Sequence, residues 1–205
     1  MGSQRRLLVI ACGALARELL AVIKASGWPH VRIQCLPADL HNRPERITDA
    51  VRQKIRAARG RYERLFVAYG DCGTGGALDR MLAEEGVERL PGAHCYEFLA
   101  GSSQFERLSD AEPGTFYLTD FLLRHFDRIV IGGLGLDRYP NLVTQYFGNY
   151  RRLVYLAQQP SEERMAAARA AAARLGLQFE AHCTGLAPLT HALVFARRGA
   201  VQWAS

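Results

Sequence analysis

The residues best suited to chemistry in this sequence are three cysteines, Cys12, Cys72 and Cys95. Each one follows or ends a stretch whose pattern predicts a β-strand, and each has a glycine, an acid or a histidine beside it. In open parallel sheets, binding sites form beyond the carboxyl ends of the strands, where several loops converge. The sequence therefore predicts that the three thiols meet at one edge of a sheet.

Two histidines extend this set toward a metal site. His41 follows the second predicted strand, and His94 directly precedes Cys95. Thiolate and imidazole are the ligands that zinc prefers, and a tetrahedral site takes four of them. We expect the three cysteines to bind zinc with one histidine. His41 is the favoured histidine, because His94 and Cys95 are neighbours on a segment predicted to be extended, where adjacent side chains diverge. A [4Fe-4S] cluster on the three cysteines is the alternative cofactor.

The same thiols also support chemistry without a metal. Two cysteines on opposite sides of a small-molecule substrate could transfer protons, as in cofactor-independent amino-acid racemases, or one cysteine could be a nucleophile. Asp71, Glu97 and Asp120 are the carboxylates that we expect to assist such chemistry. A third hypothesis is a non-catalytic accessory protein that binds a corrinoid protein or a small ligand.

A glycine-rich segment follows Cys72 and consists of Gly73, Thr74, Gly75 and Gly76. Glycines at a strand-to-helix turn let backbone N–H groups approach an anion, and the start of a helix adds a positive dipole. No lysine follows, so this is not a Walker loop. We expect the segment either to bind an anionic group or to form a tight turn. We also expect the start of the next helix to lower the pKa of Cys72.

The candidate site residues lie between apolar runs that predict buried strands and amphipathic stretches that predict helices, and these elements determine their positions. The pattern predicts strands over 7–11, 31–36, 65–69 and 89–95, and helices over 14–25, 44–58 and 77–85. In the second half it predicts a loop over 101–113, helices over 115–126 and 161–175, and strands over 129–131, 153–157, 177–181 and 193–196. Such alternation is typical of a parallel sheet covered on both faces. We expect a Rossmann-like, doubly wound α/β fold in a single domain over 1–205, with 101–150 as an aromatic helical insertion.

Composition narrows the class of protein. Hydrophobic residues make up 49% of the chain and charged residues 22%, which is ordinary for a globular protein. The net charge is +6, but the basic residues are scattered and do not alternate with aromatic residues, which argues against nucleic-acid binding. No apolar run approaches the roughly 20 residues of a membrane span, and no signal peptide is recognisable. The chain has five cysteines, an odd number that does not fit a secreted disulfide framework, so we expect a cytoplasmic protein. We also expect it to bind a small-molecule substrate, and homo-oligomerisation stays open.

Several short motifs together resemble a bacterial and archaeal family of unknown function. They are Ala11-Cys12-Gly13-Ala14-Leu15, Leu40-His41-Asn42-Arg43-Pro44, Tyr69-Gly70-Asp71-Cys72-Gly73-Thr74-Gly75, His94-Cys95-Tyr96-Glu97, the segment 113–121 and the segment 146–150. The resemblance extends from Leu7 to about Gly185. Members of that family are often encoded beside corrinoid-dependent methyltransferases for methylated amines. The resemblance therefore implies one-carbon or methylated-amine metabolism as context, with a corrinoid or methyltransferase protein as partner.

Overall fold

The structure is a computed structural model that describes residues 6–198 and, within the last helix, the side chains up to residue 194. The chain divides into two compact units, and the single domain predicted over 1–205 stays a prediction. The first contains the chain up to Phe98 together with the segment from Ala187 onward, and the second is Leu99–Leu186. Each unit is described by itself below.

The first unit contains a four-stranded parallel sheet. Its strands are β1 (Leu7–Cys12), β2 (Val31–Leu36), β3 (Arg64–Ala68) and β4 (Glu88–Arg89), in the order β2-β1-β3-β4. All six residues of β1 are buried, because a strand inside a parallel sheet is covered on both faces. Among the described residues of this unit, five α-helices accompany the sheet: α1 (Ala16–Ala25), α2 (Ile47–Ala58), α3 (Ala77–Glu85), α4 (Cys95–Ala100), which ends in the second unit, and α9 (Ala187–Arg198).

Helix α2 shows how the amphipathic pattern positions an element of this unit. Ile47, Val51 and Ile55 recur at four-residue steps and are completely buried. They pack in the same hydrophobic cluster as Cys12, Cys72 and residues of α3. The cluster lies on the face of the sheet toward which alternate residues of β1 and β3 point.

The second unit contains a three-stranded parallel sheet with the order β5-β6-β7. Its strands are β5 (Thr115–Thr119), β6 (Arg152–Ala157) and β7 (Gln178–Cys183). Its helices are α5 (Ser102–Ala111), α6 (Asp120–Arg124), α7 (Leu142–Phe147) and α8 (Glu162–Leu175), with a π-helical segment at Asp127–Gly132. Ser161 caps α8: its hydroxyl accepts a hydrogen bond from the N–H of Arg164.

The α/β class and the parallel sheets flanked by helices are confirmed, and five of the predicted elements are wrong. Residues 101–113 contain helix α5 instead of a loop, and 129–131 are π-helical instead of a strand. Residues 115–126 begin with strand β5, since their β-branched and aromatic side chains pair with β6. Residues 193–196 belong to helix α9, where Leu189 and Leu193 are buried one turn apart. The short strand or extended piece predicted at 89–95 is a strand only at Glu88–Arg89, and helix α4 begins at Cys95.

No helix between residues 6 and 198 has the length and apolar character that crossing a membrane requires.

Candidate functional site

Cys12 is the last residue of the buried strand β1, where it lies opposite Leu36 of β2. The chain turns immediately after it. A Cβ atom on Gly13 would lie 2.9 Å from the carbonyl oxygen of Leu36, closer than real contacts allow. Glycine at position 13 therefore lets the backbone turn tightly against β2 and leaves the Cys12 thiol at the carboxyl edge of the sheet.

Backbone contacts between two loops bring Cys72 next to Cys95. The N–H of Asp71 donates to the carbonyl of Gly92 at 3.1 Å, and the N–H of Cys72 donates to that of Ala93 at 2.9 Å. Gly70 allows this approach, because a Cβ atom there would lie 2.9 Å from the carbonyl carbon of His94. The loop after β3 is thus fixed against the segment that leads into α4, whose first residue is Cys95.

Cys72 differs from its neighbours in backbone conformation and in acidity. Its φ of 50° is the only positive φ of a non-glycine residue in the part of the chain that the structure describes. A hydrogen bond from the Cys95 thiol lowers the pKa of Cys72, and the backbone N–H groups of Cys95 and Gly70 lower it further, against the opposing effect of burial. The lowering predicted from the sequence is present, but its cause is these donors and not the start of α3.

The other two thiols of the cluster are held in the neutral form. Burial raises the pKa of Cys12 to about 11, and the nearby Cys72 adds to the rise. The pKa of Cys95 is raised well above its usual value by its hydrogen bond to Cys72 and by burial. The three thiols therefore lie close enough to affect one another, as the sequence predicted, and among them only Cys72 has a lowered pKa.

Tyr69 is a member of this cluster that the sequence analysis missed. Its hydroxyl lies against the Cys12 thiol and, among the described residues, has no other hydrogen-bond partner. Burial raises the pKa of Tyr69, and the Cys12 thiol adds to the rise. The alternation of side chains could have identified it, because Ala11 pairs with Ala68 and the next residues, Cys12 and Tyr69, then share a face.

His41 and His94 lie close enough to interact electrostatically. Desolvation lowers the pKa of His41, and the charge of the His94 imidazole lowers it further. His41 belongs to a short 3₁₀ helix after β2, and His94 directly precedes α4. Because Cys95 is helical, the reason given from the sequence for preferring His41 over His94, an extended segment, is wrong.

Among the described residues, no three His, Cys, Asp or Glu side chains form a group that could hold a metal ion.

The glycine-rich segment after Cys72 is closed by its own carboxylate. The N–H groups of Gly75 and Gly76 donate to Asp71 at 3.1 and 2.9 Å, and the Thr74 hydroxyl donates to it at 2.6 Å. The Thr74 hydrogen bond is the main cause that lowers the pKa of Asp71. Gly73 completes the turn at a φ of +85°. The Asp71 carboxylate thus accepts hydrogen bonds from the backbone N–H groups that, in the sequence-based prediction, could bind an external anion. Of the two predicted alternatives, the structure shows the tight turn.

The two remaining carboxylates have structural partners. Glu97 accepts a hydrogen bond from the N–H of Ala93 at 2.8 Å and so stabilises the turn before α4. Asp120 is buried in the second unit, where it accepts hydrogen bonds from the Tyr155 hydroxyl at 2.7 Å and the N–H of Gln159 at 3.0 Å. It forms an ion pair with Arg164 at 3.4 Å. Asp120 thus belongs to a separate network.

One comparison with known proteins identifies a family. Residues 35–193 match the family described as "Protein of unknown function (DUF1638)". The chain belongs to this family. No curated protein and no solved structure matches the chain. The resemblance seen in the sequence is thus confirmed as membership of a family of unknown function, whose matched region contains Cys72 and Cys95 but begins after Cys12.

Proposed function

We propose that the protein is an enzyme of small-molecule metabolism in which the thiolate of Cys72 is the nucleophile. The observation that carries the proposal is the environment of Cys72, a strained residue between a parallel strand and a helix whose sulfur receives three hydrogen bonds. Strained residues cluster at functional sites, and a sharp turn between strand and helix exposes the nucleophile in other α/β enzymes. A thiol is nucleophilic as its thiolate, so lowering the pKa increases the reactive fraction at neutral pH.

The neighbouring groups support different parts of this chemistry. The Cys95 thiol donates to the Cys72 thiolate and is itself neutral, so it can release its proton only after the charge on Cys72 has been consumed. When Cys72 attacks an electrophilic carbon, its lone pair forms the C–S bond and the displaced electron pair moves to the substrate. Cys95 is then the nearest thiol able to donate a proton. Proton transfer between two cysteines without a covalent intermediate remains the variant of this proposal.

Labelling with a single equivalent of iodoacetamide at neutral pH tests the proposal. We expect Cys72 to be alkylated before the exposed thiol of Cys183, as read from peptide masses. Cys95→Ala should slow the labelling of Cys72, because it removes a donor to the thiolate, whereas Cys35→Ala is the matched control and should leave it unchanged. If Cys183 takes the label and Cys72 does not, the proposed nucleophile is wrong.

A metal centre on Cys12, Cys72 and Cys95 is the second candidate. The observation in its favour is that each of the three thiols interacts electrostatically with the other two. Metal binding would deprotonate Cys12 and Cys95. Burial and the neighbouring Cys72 raise the pKa of Cys12, and the hydrogen bond to Cys72 and burial raise that of Cys95. Zinc, with His41 or His94 as a fourth ligand, or a [4Fe-4S] cluster would supply Lewis-acid or redox chemistry at this edge of the sheet.

Metal analysis of protein purified without air separates the two candidates. Stoichiometric zinc or a brown, iron-containing protein would support the metal centre. Cys12→Ser should then lower the metal content, while Cys35→Ser should not. Protein that is free of metal and still alkylates first at Cys72 would exclude the metal centre.

The biological context is also part of the proposal. The motifs that resemble proteins encoded beside corrinoid-dependent methyltransferases lead us to propose one-carbon or methylated-amine metabolism in the cytoplasm. The partner would be a small-molecule substrate or, for an accessory role, a corrinoid or methyltransferase protein. Co-purification of a corrinoid protein with the full chain under reducing conditions tests the accessory role, with Cys72→Ser as the comparison that leaves the surface almost unchanged.

A further inference from the structure

We infer that Cys72 and Cys95 form a reversible disulfide when the protein meets a hydroperoxide, and that this disulfide switches off the thiol site. The inference rests on the proposed reactivity of Cys72 and adds a mode of regulation to it. Nothing in the family description assigns such a modification.

The backbone places the two cysteines as neighbours. The hydrogen bonds of Asp71 and Cys72 to Gly92 and Ala93, at 3.1 and 2.9 Å, hold the two loops side by side. The Cys95 side chain is then within hydrogen-bonding reach of the Cys72 sulfur. Sulfur atoms in hydrogen-bond contact need only a small movement to reach the roughly 2.05 Å of a disulfide bond. Gly70 permits this close approach, because a Cβ atom there would lie 2.9 Å from the carbonyl carbon of His94.

Cys95 is a better partner for Cys72 than Cys12 is. The side chain of Cys95 is hydrogen-bonded to Cys72, whereas that of Cys12 is hydrogen-bonded to the Tyr69 hydroxyl. Cys12 also ends the buried strand β1, whose pairing with β2 and β3 holds it in place. Cys72 and Cys95 are 5% and 7% exposed, so small reagents such as hydrogen peroxide and iodoacetamide are the appropriate probes of this site.

The oxidation proceeds in two balanced steps. The Cys72 thiolate attacks one oxygen of the hydroperoxide, an S–O bond forms, the O–O bond breaks, and the leaving alkoxide or hydroxide takes up a proton. Sulfur is oxidised to sulfenic acid while the peroxide is reduced. The Cys95 thiol then attacks this sulfur, the S–S bond forms, and the hydroxide that leaves combines with the thiol proton as water. A dithiol reductant reverses the sequence by thiol–disulfide exchange.

The test is a peptide map of the full chain after exposure to hydrogen peroxide. We expect tryptic peptides Leu65–Arg80 and Leu90–Arg107 to appear joined, with the mass of two hydrogen atoms lost, and to separate again with dithiothreitol. Cys12→Ser is the matched control and should still give the joined pair. In Cys95→Ser, oxidation should stop at a sulfenic acid on Cys72 that dimedone captures.

The wild-type map decides the inference even if a variant fails to fold. Joining of Cys72 to Cys12, or dimedone capture in the wild type as complete as in Cys95→Ser, would overturn it. Iodoacetamide labelling of the reduced protein keeps the two proposals apart. Rapid labelling of Cys72 without a Cys72–Cys95 disulfide overturns only the switch, whereas slow labelling of Cys72 overturns the proposed function.

Discussion

Cys72 carries a positive φ of 50°, a conformation that costs a non-glycine residue on the order of 1–3 kcal/mol. Such strain persists only where the surrounding structure imposes it. Here the hydrogen bonds to residues 92 and 93 impose it, and the same contacts place the Cys95 thiol on the Cys72 sulfur. Backbone strain and thiolate stabilisation therefore have one structural origin, the pairing of the two loops.

Replacing Cys95 tests how far its thiol controls the acidity of Cys72. Cys95→Ala removes the hydrogen bond from the Cys95 thiol, which is the largest effect that lowers the pKa of Cys72, while burial continues to raise that pKa. The midpoint of the pH profile of Cys72 alkylation should therefore move to higher pH. Cys95→Ser keeps a hydroxyl donor and should move it less. A profile that is unchanged in Cys95→Ala would assign the low pKa to the backbone N–H groups.

Asp71 stabilises the loop that carries Cys72. Asp71→Asn should lower the free energy of unfolding by about 1–2 kcal/mol, because charge-assisted hydrogen bonds from Thr74, Gly75 and Gly76 become neutral ones. Urea denaturation measures the difference. The exposed Asp39→Asn is the matched control, expected to stay within about 0.5 kcal/mol. An equal loss in both variants would contradict this role.

The sequence was informative about which cysteines meet and about the direction of the Cys72 pKa shift, but not about the cause of that shift. The positions of Cys12 and Cys72 after strands were enough to predict their convergence, because the ends of parallel strands share an edge. The spacing of the motif does not determine how the Asp71 side chain is oriented, so it could not predict that this carboxylate accepts hydrogen bonds from the N–H groups of its own loop. Tyr69 could have been identified from the alternation of side chains that continues after β3. An aromatic residue next to a buried strand is, however, first interpreted as part of the core.

At the scale of elements, Gly70 fixes the distance between the loop after β3 and the start of α4. Gly70→Ala should destabilise the protein by about 1–3 kcal/mol and slow the alkylation of Cys72, because its Cβ would lie 2.9 Å from backbone atoms of His94. The control is Gly27→Ala, where φ is +62° and no atom lies within 4 Å. That variant should lose about 1 kcal/mol from backbone strain and leave Cys72 unaffected. Normal Cys72 reactivity in Gly70→Ala would contradict this role for the glycine.

Asp120 performs a corresponding structural role in the second unit. It begins α6 directly after β5 and joins that helix to Tyr155 of β6 and Arg164 of α8. Asp120→Ala should cost about 3 kcal/mol in thermal or urea unfolding, since it leaves these buried donors without their acceptor. Asp110→Ala, at an exposed position of α5, is the control, and a similar cost in both would refute the network.

Helices with strong periodicity and apolar runs of five residues were predicted correctly, whereas the three-residue run at 129–131 was not. Helix α3 begins and ends where the pattern placed it, since Gly86 terminates it in a left-handed conformation. The run Ile129-Val130-Ile131 has the composition of a strand but lies in a π-helical segment, with Val130 buried. Three apolar residues cannot distinguish a strand from a turn of helix, and only tertiary packing decides between them.

At the scale of the whole molecule, several ion-paired carboxylates make stability depend on pH. Hydrogen bonds from arginine lower the pKa of Asp79 and Glu85, and the hydrogen bond with His182 lowers that of Glu180. A lowered pKa gives stability that is fully present above the unfolded value, near 4, and is lost as the pH falls through the folded value. The urea midpoint should therefore fall between about pH 5 and pH 3. A midpoint that stays constant over this range would contradict these ion pairs.

The central claim is that the pKa of the Cys72 thiol is lowered while the pKa values of the neighbouring thiols of Cys12 and Cys95 are raised. The most direct measurement is the rate of iodoacetamide alkylation at each cysteine of the full chain as a function of pH, resolved by peptide mass spectrometry. We expect the midpoint for Cys72 to lie below that of an ordinary thiol and the midpoint for Cys12 to lie at about 11. A Cys72 midpoint at or above the ordinary thiol value of about 8.5 would contradict the account.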